Sequence, residues 1–222
     1  MKNILKTLTF PFIMGCILFG VSGDIYWPMG YLFFILYVVL TFLLAGLFTN
    51  KHSDLANERR TAIKKAKKWD KIIFPFIAII IPLATLIVSG LDHRFQWSTS
   101  LSLTVQLSFY FLSIVGCIIT YVAMNTNRFF SSVVRIQSDR GHVVVKDGLY
   151  SYIRHPGYVG TILYNISMPL AIGSLWGLIP GVVEVLLFLL RTKLEDDTLQ
   201  KELDGYSDYA KKVKYRLVPL VW

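Results

Sequence analysis

The chain has 222 residues, 54% of them hydrophobic, and 23 Lys and Arg against 14 Asp and Glu give it a net charge of +9. Apolar content at that level, gathered in long runs, excludes an ordinary soluble domain and places the chain among multi-span membrane proteins. The two cysteines, Cys16 and Cys117, both fall inside apolar runs, which excludes a disulfide framework and reads them as small buried hydrophobes.

Six apolar segments are predicted in chain order, at residues 4–22, 29–49, 72–90, 100–124, 158–172 and 175–190. The first does not read as a cleaved leader, because the second follows at once with no small-residue cleavage site between them. The first four are long enough to cross a bilayer, which takes about 20 helical residues. The last two are short, separated by Gly173-Ser174, and read as a tight helical hairpin extended by polar turns; the rival is a re-entrant pair that does not cross. The expected fold class is an all-α, polytopic membrane helix bundle of about six transmembrane segments, since lipid-exposed backbone must satisfy its own hydrogen bonds.

Charge placement sets the topology. With the N-terminus in the cytoplasm, 22 of the 23 Lys and Arg fall on the cytoplasmic side and only Arg94 falls outside. The positive-inside rule therefore puts both termini in the cytoplasm and makes the chain an integral, multi-pass protein, of the cell membrane if prokaryotic and of the endoplasmic reticulum if eukaryotic. It also accounts for the positive charge without nucleic acid. The 58–71 run (ERRTAIKKAKKWDK) reads as an anchor on anionic lipid. Of the two outside loops, 23–28 is an aromatic interfacial turn, and 90–97 is an interfacial loop with an Asp92–Arg94 pair.

Between the fourth and fifth segments lies the most informative stretch. Residues 135–137 and 142–145 suggest short extended pieces on either side of a turn at Asp139-Arg140-Gly141. Then comes Lys146-Asp-Gly-Leu-Tyr150-Ser-Tyr-Ile-Arg154-His155-Pro156-Gly-Tyr158-Val-Gly160. Pro156 has no N–H and pushes His155 out of helical geometry, so a helix can start at or just after it. Arg, His and three Tyr within a dozen residues are unusual for a connecting loop. The plain alternative is a basic loop resting on lipid headgroups.

Farther on, Glu184, Arg191 and Glu195 are separated by seven and four residues, so they share one helix face. Glu184 sits in an apolar run, where a charge usually faces a cavity or a partner. Arg191 and Glu195 are either a salt-bridged helix exit or a cation and a carboxylate facing a site beside the His155 stretch. Asp196-Asp197 adds negative charge there. The tail is expected to turn near Gly205 and form an amphipathic piece over 206–213. No phosphate loop, dinucleotide fingerprint, nucleophile elbow or His-Glu-x-x-His occurs, and His52, His93, His142 and His155 do not pair at metal spacing, so no metal is expected.

Taken in order, Gly148-x-Tyr150-x-x-x-Arg154-His155-Pro156-x-Tyr158-x-Gly160, then Arg191-x-x-x-Glu195-Asp196-x-x-Leu199, Tyr206-x-x-Tyr209 and Tyr215-Arg-Leu-Val-Pro219 resemble the isoprenylcysteine carboxyl methyltransferases. The pattern is also similar to the phospholipid N-methyltransferases of the same superfamily. The resemblance covers about 80 residues, 137–219; the first 120 carry only general membrane character. It implies an S-adenosylmethionine-dependent methyltransferase, with residues 1–124 as N-terminal transmembrane helices and 125–222 as the catalytic region, made of a cytoplasmic loop, the helical hairpin and a cytoplasmic tail. It implies that His142, Val143, Val144, Val145, Tyr150, His155, Pro156, Gly157 and Tyr158 line the cofactor, that Glu195 with Asp196 holds its polar end, and that Gln137 matches a family glutamine at a spacing shorter than usual. Arg191 and Arg154 would act at the reaction centre, with Arg191 and Glu184 on the substrate side. Glu195-Asp196 stands where the family often has Glu-Glu, a departure that keeps the charge. The implied substrate is a lipid-like or prenylated small molecule or peptide carrying a carboxylate, reached from membrane lipid. Two alternatives remain open: methylation of a phospholipid amine, with Glu184 or Glu195 as base, and a sterol-reductase-like enzyme using NADPH.

Overall fold

The structure, a computed structural model, describes residues 2–50 and 62–222, with side chains from 8–43 and 62–222. Arg59 and Arg60 of the basic 58–71 run, with Lys51 and His52, lie outside the described residues.

Among the described residues there are eight α-helices and no strand. They are α1 (Lys2–Ser22), α2 (Pro28–Asn50), α3 (Lys68–Pro75), α4 (Ile81–Phe95), α5 (Leu103–Thr126), α6 (Pro156–Ala171), α7 (Leu178–Glu202) and α8 (Tyr206–Lys212). All six apolar segments of the sequence fall on helices. α3 and α4 are joined by a π-helical turn, Phe76–Ile80, into one continuous 28-residue helix, Lys68–Phe95. Pro75 and Pro82 flank that turn, and a proline inside a helix forfeits an amide donor; a π turn is a common way to absorb the shift in register. This helix and α5, Leu103–Thr126, are long and apolar enough to cross a membrane. α1 and α2 run 21 and 23 residues.

The expected extended pieces at 135–137 and 142–145 are not paired into a ladder. A 3₁₀ turn, Ser138–Arg140, separates them and ends at Gly141 with φ +60°, so the expected turn is present without the strands. The expected 90–97 loop is mostly helix: α4 continues to Phe95 and stops where Gln96 adopts φ +52°. The Asp92–Arg94 pair is not formed. Asp92 instead accepts from Ser98 Oγ and Ser174 Oγ, both at 2.5 Å, and from the Ser98 amide at 2.7 Å, which ties the α6–α7 hairpin to α4. His93 pairs with Asp24 Oδ2 at 3.0 Å. Cys16 is exposed and Cys117 half-buried, so neither is the buried residue expected. A membrane bundle satisfies an apolar side chain with lipid as readily as with core.

The most extensive helix contact is between α5 and α6. It depends on Gly116 and Gly160, each of which presses its backbone against the other helix, with Thr120 alongside. Small residues at such a seam let two backbones approach closely, which is how helices gain packing energy where water supplies no drive. Met14, Leu18, Phe33, Leu86, Tyr110 and Met168 join α1, α2, α4, α5 and α6 into one core.

Candidate active site

At the end of the bundle opposite the Asp92 network, the segment between α5 and α6 folds against the C-terminal tail. Pro156 starts α6. With the chain entering non-helically at His155, the amides of Arg154 and His155 donate to Tyr215 O at 3.0 Å and Arg216 O at 2.9 Å. Tyr209 Oη donates to Tyr150 O at 2.7 Å. The tail thus closes one wall of a cleft that is open to solvent.

Gln137, His142, Val143, Val144, Val145, Tyr150, Arg154, His155, Gly157, Tyr158 and Glu195 all line this cleft. Gly157 leaves room for the Phe130 ring, which a Cβ would meet at 2.6 Å. Tyr158 lies parallel to His155 with ring centres 5.6 Å apart, and its hydroxyl donates to Glu195 Oε2. Gln137 Nε2 donates to Phe129 O at 2.6 Å, and Arg140 Nη1 donates to Gln137 Oε1 at 2.6 Å. Burial, with the nearby Arg135 and Arg140 cations, holds the His142 imidazole down at about 4, so it is neutral at pH 7.

Other expected residues lie elsewhere. Pro156 is fully buried behind the wall. Asp196 is 0% exposed and does not line the cleft; it is the anion on which the wall is built. It pairs with Arg154 Nε at 3.0 Å, His155 Nε2 at 3.4 Å and Arg216 Nε at 2.9 Å, and accepts from Tyr206 Oη at 2.9 Å and Gln200 Nε2 at 2.9 Å. Burial alone would raise this carboxyl, but His155, Arg154 and Tyr206 together hold it well below the usual carboxylate range. Glu195 and Asp196 therefore have different work despite being neighbours: one faces the cleft and the other faces the frame.

Arg191 does not pair with Glu195. Its Nε and Nη2 donate to the two oxygens of Asp70 at 2.8 and 3.2 Å, and Nη2 also donates to Ser132 O at 2.7 Å. Its guanidinium lies 5.4 Å from the centre of the Tyr158 ring, just behind the cleft. Glu184 is separate from the cleft, accepting from Asn165 Nδ2 at 2.7 Å in an apolar cavity among α1, α2, α4, α6 and α7. Eleven residues part it from Glu195, roughly 16 Å along α7 at 1.5 Å per residue.

Sequence reasoning did not single out Phe129, Phe130 and Ser131 in the wall, nor Asp70 behind it. The two phenylalanines left no signal in an apolar chain. A buried Asp at the head of an apolar helix was a signal, masked by the six lysines and arginines that precede it in the basic run.

The cleft chemistry fits a molecule with an aromatic ring and a cationic end. Phe129, Phe130, Tyr150, Tyr158, Tyr206 and Tyr209 offer ring faces, and Glu195 offers the carboxylate. Among the described residues no three His, Cys, Asp or Glu side chains gather as metal ligands would.

Comparison with known proteins bears on the same segment. Residues 108–201 match the isoprenylcysteine carboxyl methyltransferase (ICMT) family. The protein-S-isoprenylcysteine O-methyltransferase of Schizosaccharomyces pombe is 33% identical over 86 residues, 38% of this chain and 36% of that protein. Its namesake from Dictyostelium discoideum is 31% identical over 103 residues, 45% of this chain and 44% of the relative. That from Saccharomyces cerevisiae is 30% identical over 116 residues, 46% of each. The matched stretches span less than half the length of each relative. The family match covers α5, the loop, α6 and nearly all of α7, and it stops before Tyr206 and Arg216.

Proposed function

We propose, from the match of residues 108–201 to the isoprenylcysteine carboxyl methyltransferase family, a membrane methyltransferase that uses S-adenosylmethionine to methylate the carboxylate of an isoprenylcysteine-like or other lipid-like substrate. The observation that carries the proposal is the cleft formed largely by the matched segment, with Glu195 braced by Tyr158 among aromatic side chains. When bound, S-adenosylmethionine supplies an electrophilic methyl group on a sulfonium centre.

Glu195 would hold the cofactor's ammonium end by a charge-assisted hydrogen bond, and the aromatic walls would hold its ring. Val143 to Val145, Gln137 and His142 would form one side, with Tyr150, His155 and Gly157 forming the other. A carboxylate acceptor is already ionised at pH 7, so no general base is required of the chain. What remains is alignment and the exclusion of water, which are proximity effects. Arg154 frames the cleft through Asp196, and Arg191 stands at its membrane side for the acceptor carboxylate. The apolar cavity around Glu184 would take the prenyl chain. The six apolar helices would span the membrane with both termini in the cytoplasm, and residues 125–222 would form the catalytic part. All three relatives are named O-methyltransferases, which favours this reading over the amine-methylating and NADPH ones.

The test is calorimetric binding of S-adenosylmethionine and its demethylated product to detergent-purified protein, with NADPH as control. Micromolar binding lost in Glu195→Ala is expected. Unchanged affinity in that variant would remove Glu195 from the site, and binding of NADPH alone would replace this reading with the reductase.

A further inference from the structure

Asp70 lies outside the family-matched segment, 121 residues before Arg191, yet it is 0% exposed and meets Arg191 with both carboxylate oxygens. Its Oδ2 also accepts the Val134 amide at 2.6 Å. Val134 O in turn accepts the Lys67 amide at 2.9 Å, so the head of α3 holds the 132–134 segment from two sides. Ser131 and Val133, on either side of the Arg191 acceptor Ser132, line the cleft. Arg191 is placed between Phe74, at 5.8 Å, and Tyr158, at 5.4 Å, whose hydroxyl reaches Glu195. An unbroken series of contacts, Asp70 to Arg191 to Tyr158 to Glu195, therefore joins the N-terminal half of the chain to the cleft.

We propose that Asp70 is a positioning residue for methyl transfer, one that fixes the Arg191 guanidinium and offsets its charge at the acceptor carboxylate. The inference rests on the proposed function. In the transfer, the acceptor oxygen forms a C–O bond to the methyl carbon as the S–C bond breaks, the S–C electron pair stays on sulfur, and no proton moves. An anion and a cation become two neutral groups, so the transition state carries less charge than the ground state. A bare cation beside the acceptor would bind its carboxylate more tightly before reaction than during it, and would slow the step. Asp70 prevents that. Among the described residues, Asp70 and Ser132 take up Nε and Nη2, leaving Nη1 as the edge that directs the acceptor while the pair as a whole is close to neutral.

The experiment compares wild type, Asp70→Asn, and Asp70→Asn with Arg191→Gln. The readouts are kcat, KM for N-acetyl-S-farnesylcysteine, inhibition by its neutral methyl ester, and calorimetric affinity for the demethylated cofactor product. In Asp70→Asn the proposal expects kcat to fall tenfold or more, KM for the acid to hold or fall, and ester inhibition and product affinity to stay within twofold. The double variant carries no buried charge and can keep an amide pair in place, so it answers the question even where the single variant does not fold. It should bind product as wild type does, with KM for the acid raised tenfold or more. Product affinity and ester inhibition falling together with kcat in Asp70→Asn would show a plain structural tie and overturn the proposal. So would wild-type kinetics in either variant. A wild-type chain that binds no cofactor product removes the proposed function itself, and this inference with it.

Discussion

Tyr158 on α6 donates its hydroxyl hydrogen bond to the Glu195 carboxylate on α7, across 37 residues of sequence, and this pair joins the two helices at the mouth of the cleft. The bond orients Glu195 toward the cleft rather than toward Arg191. A hydrogen bond to a charged group contributes about 1.5–3 kcal/mol. Tyr158→Phe should therefore weaken binding of the demethylated cofactor product by tenfold to a hundredfold while leaving thermal unfolding nearly unchanged. Calorimetry on the purified variant measures this, and an affinity equal to wild type would take Tyr158 out of the binding account.

Asp196 gathers Arg154, His155 and Arg216 around one buried carboxylate. Removing one partner of a buried ion pair costs about 3–5 kcal/mol, because the remaining charge is left unpaired. Asp196→Ala should be destabilised on that scale, and Asp196→Asn nearly as much. The pH dependence follows from the depressed carboxyl. A folded-state pKa below the unfolded value, about 3.9, contributes stability that is fully present above that value and is lost as pH falls through the folded value. Wild type should therefore lose stability below about pH 4, and Asp196→Asn should lack this part of the acid limb. A variant melting within a degree or two of wild type would show the frame standing without its anion.

At the α5–α6 seam, a Cβ on Gly160 would be driven into the Gly116 carbonyl and the Thr120 backbone. Backbone atoms cannot step aside as a flexible side chain can, so Gly160→Ala should separate the helices and lower the melting temperature sharply. Gly20 has nothing within 4 Å of its would-be Cβ, and Gly20→Ala should be neutral or slightly stabilising, since Ala is the better helix former. The pair is compared by thermal unfolding in one detergent. Equal midpoints would mean that the seam tolerates a wider spacing.

The six apolar segments were legible because helices in lipid must be long, apolar runs, and Pro156 marked the start of α6 because a proline is best placed there. The difference between Glu195 and Asp196 was not legible: adjacent carboxylates on a helix point about 100° apart, and which faces the cleft depends on what packs behind. Nor was the partner of Arg191. Glu195 at one turn's spacing was the local candidate, but Asp70 takes up the Nε–Nη2 edge of the guanidinium from another helix, and local spacing carries no record of that approach. A truncation of Arg191 therefore strips Asp70 of its counter-ion as well as the site of a donor, so loss of turnover in Arg191→Ala does not by itself assign Arg191 to the substrate. The 135–137 and 142–145 pieces looked extended because Ile136 and Val143 to Val145 are β-branched, yet a side chain joins them: His142 Nδ1 accepts the Gln137 amide where a ladder would have paired two backbones.

His142 supplies the last prediction. It packs on Phe129 with ring centres 4.5 Å apart, and its Nδ1 accepts the Gln137 amide at 3.3 Å, a bond that needs an unprotonated Nδ1. Burial first, and then the Arg135 and Arg140 cations, lower its pKa to about 4. For a histidine the sign runs thus: with the folded value below the ordinary 6.5, the folded cleft is favoured fully above 6.5, and that contribution is lost as pH falls toward about 4. Folding stability should therefore weaken below about pH 6.5 in respect of this residue, whereas affinity of the folded protein for the demethylated cofactor product should stay level from pH 8 to about 5 and decline only as pH nears about 4, where the imidazolium breaks the Gln137 bond. His142→Gln should bind with this acid decline removed. Histidine proton resonances followed against pH assign the group directly, and a His142 titrating near 6.5 would show that the cleft wall is open to water at this point.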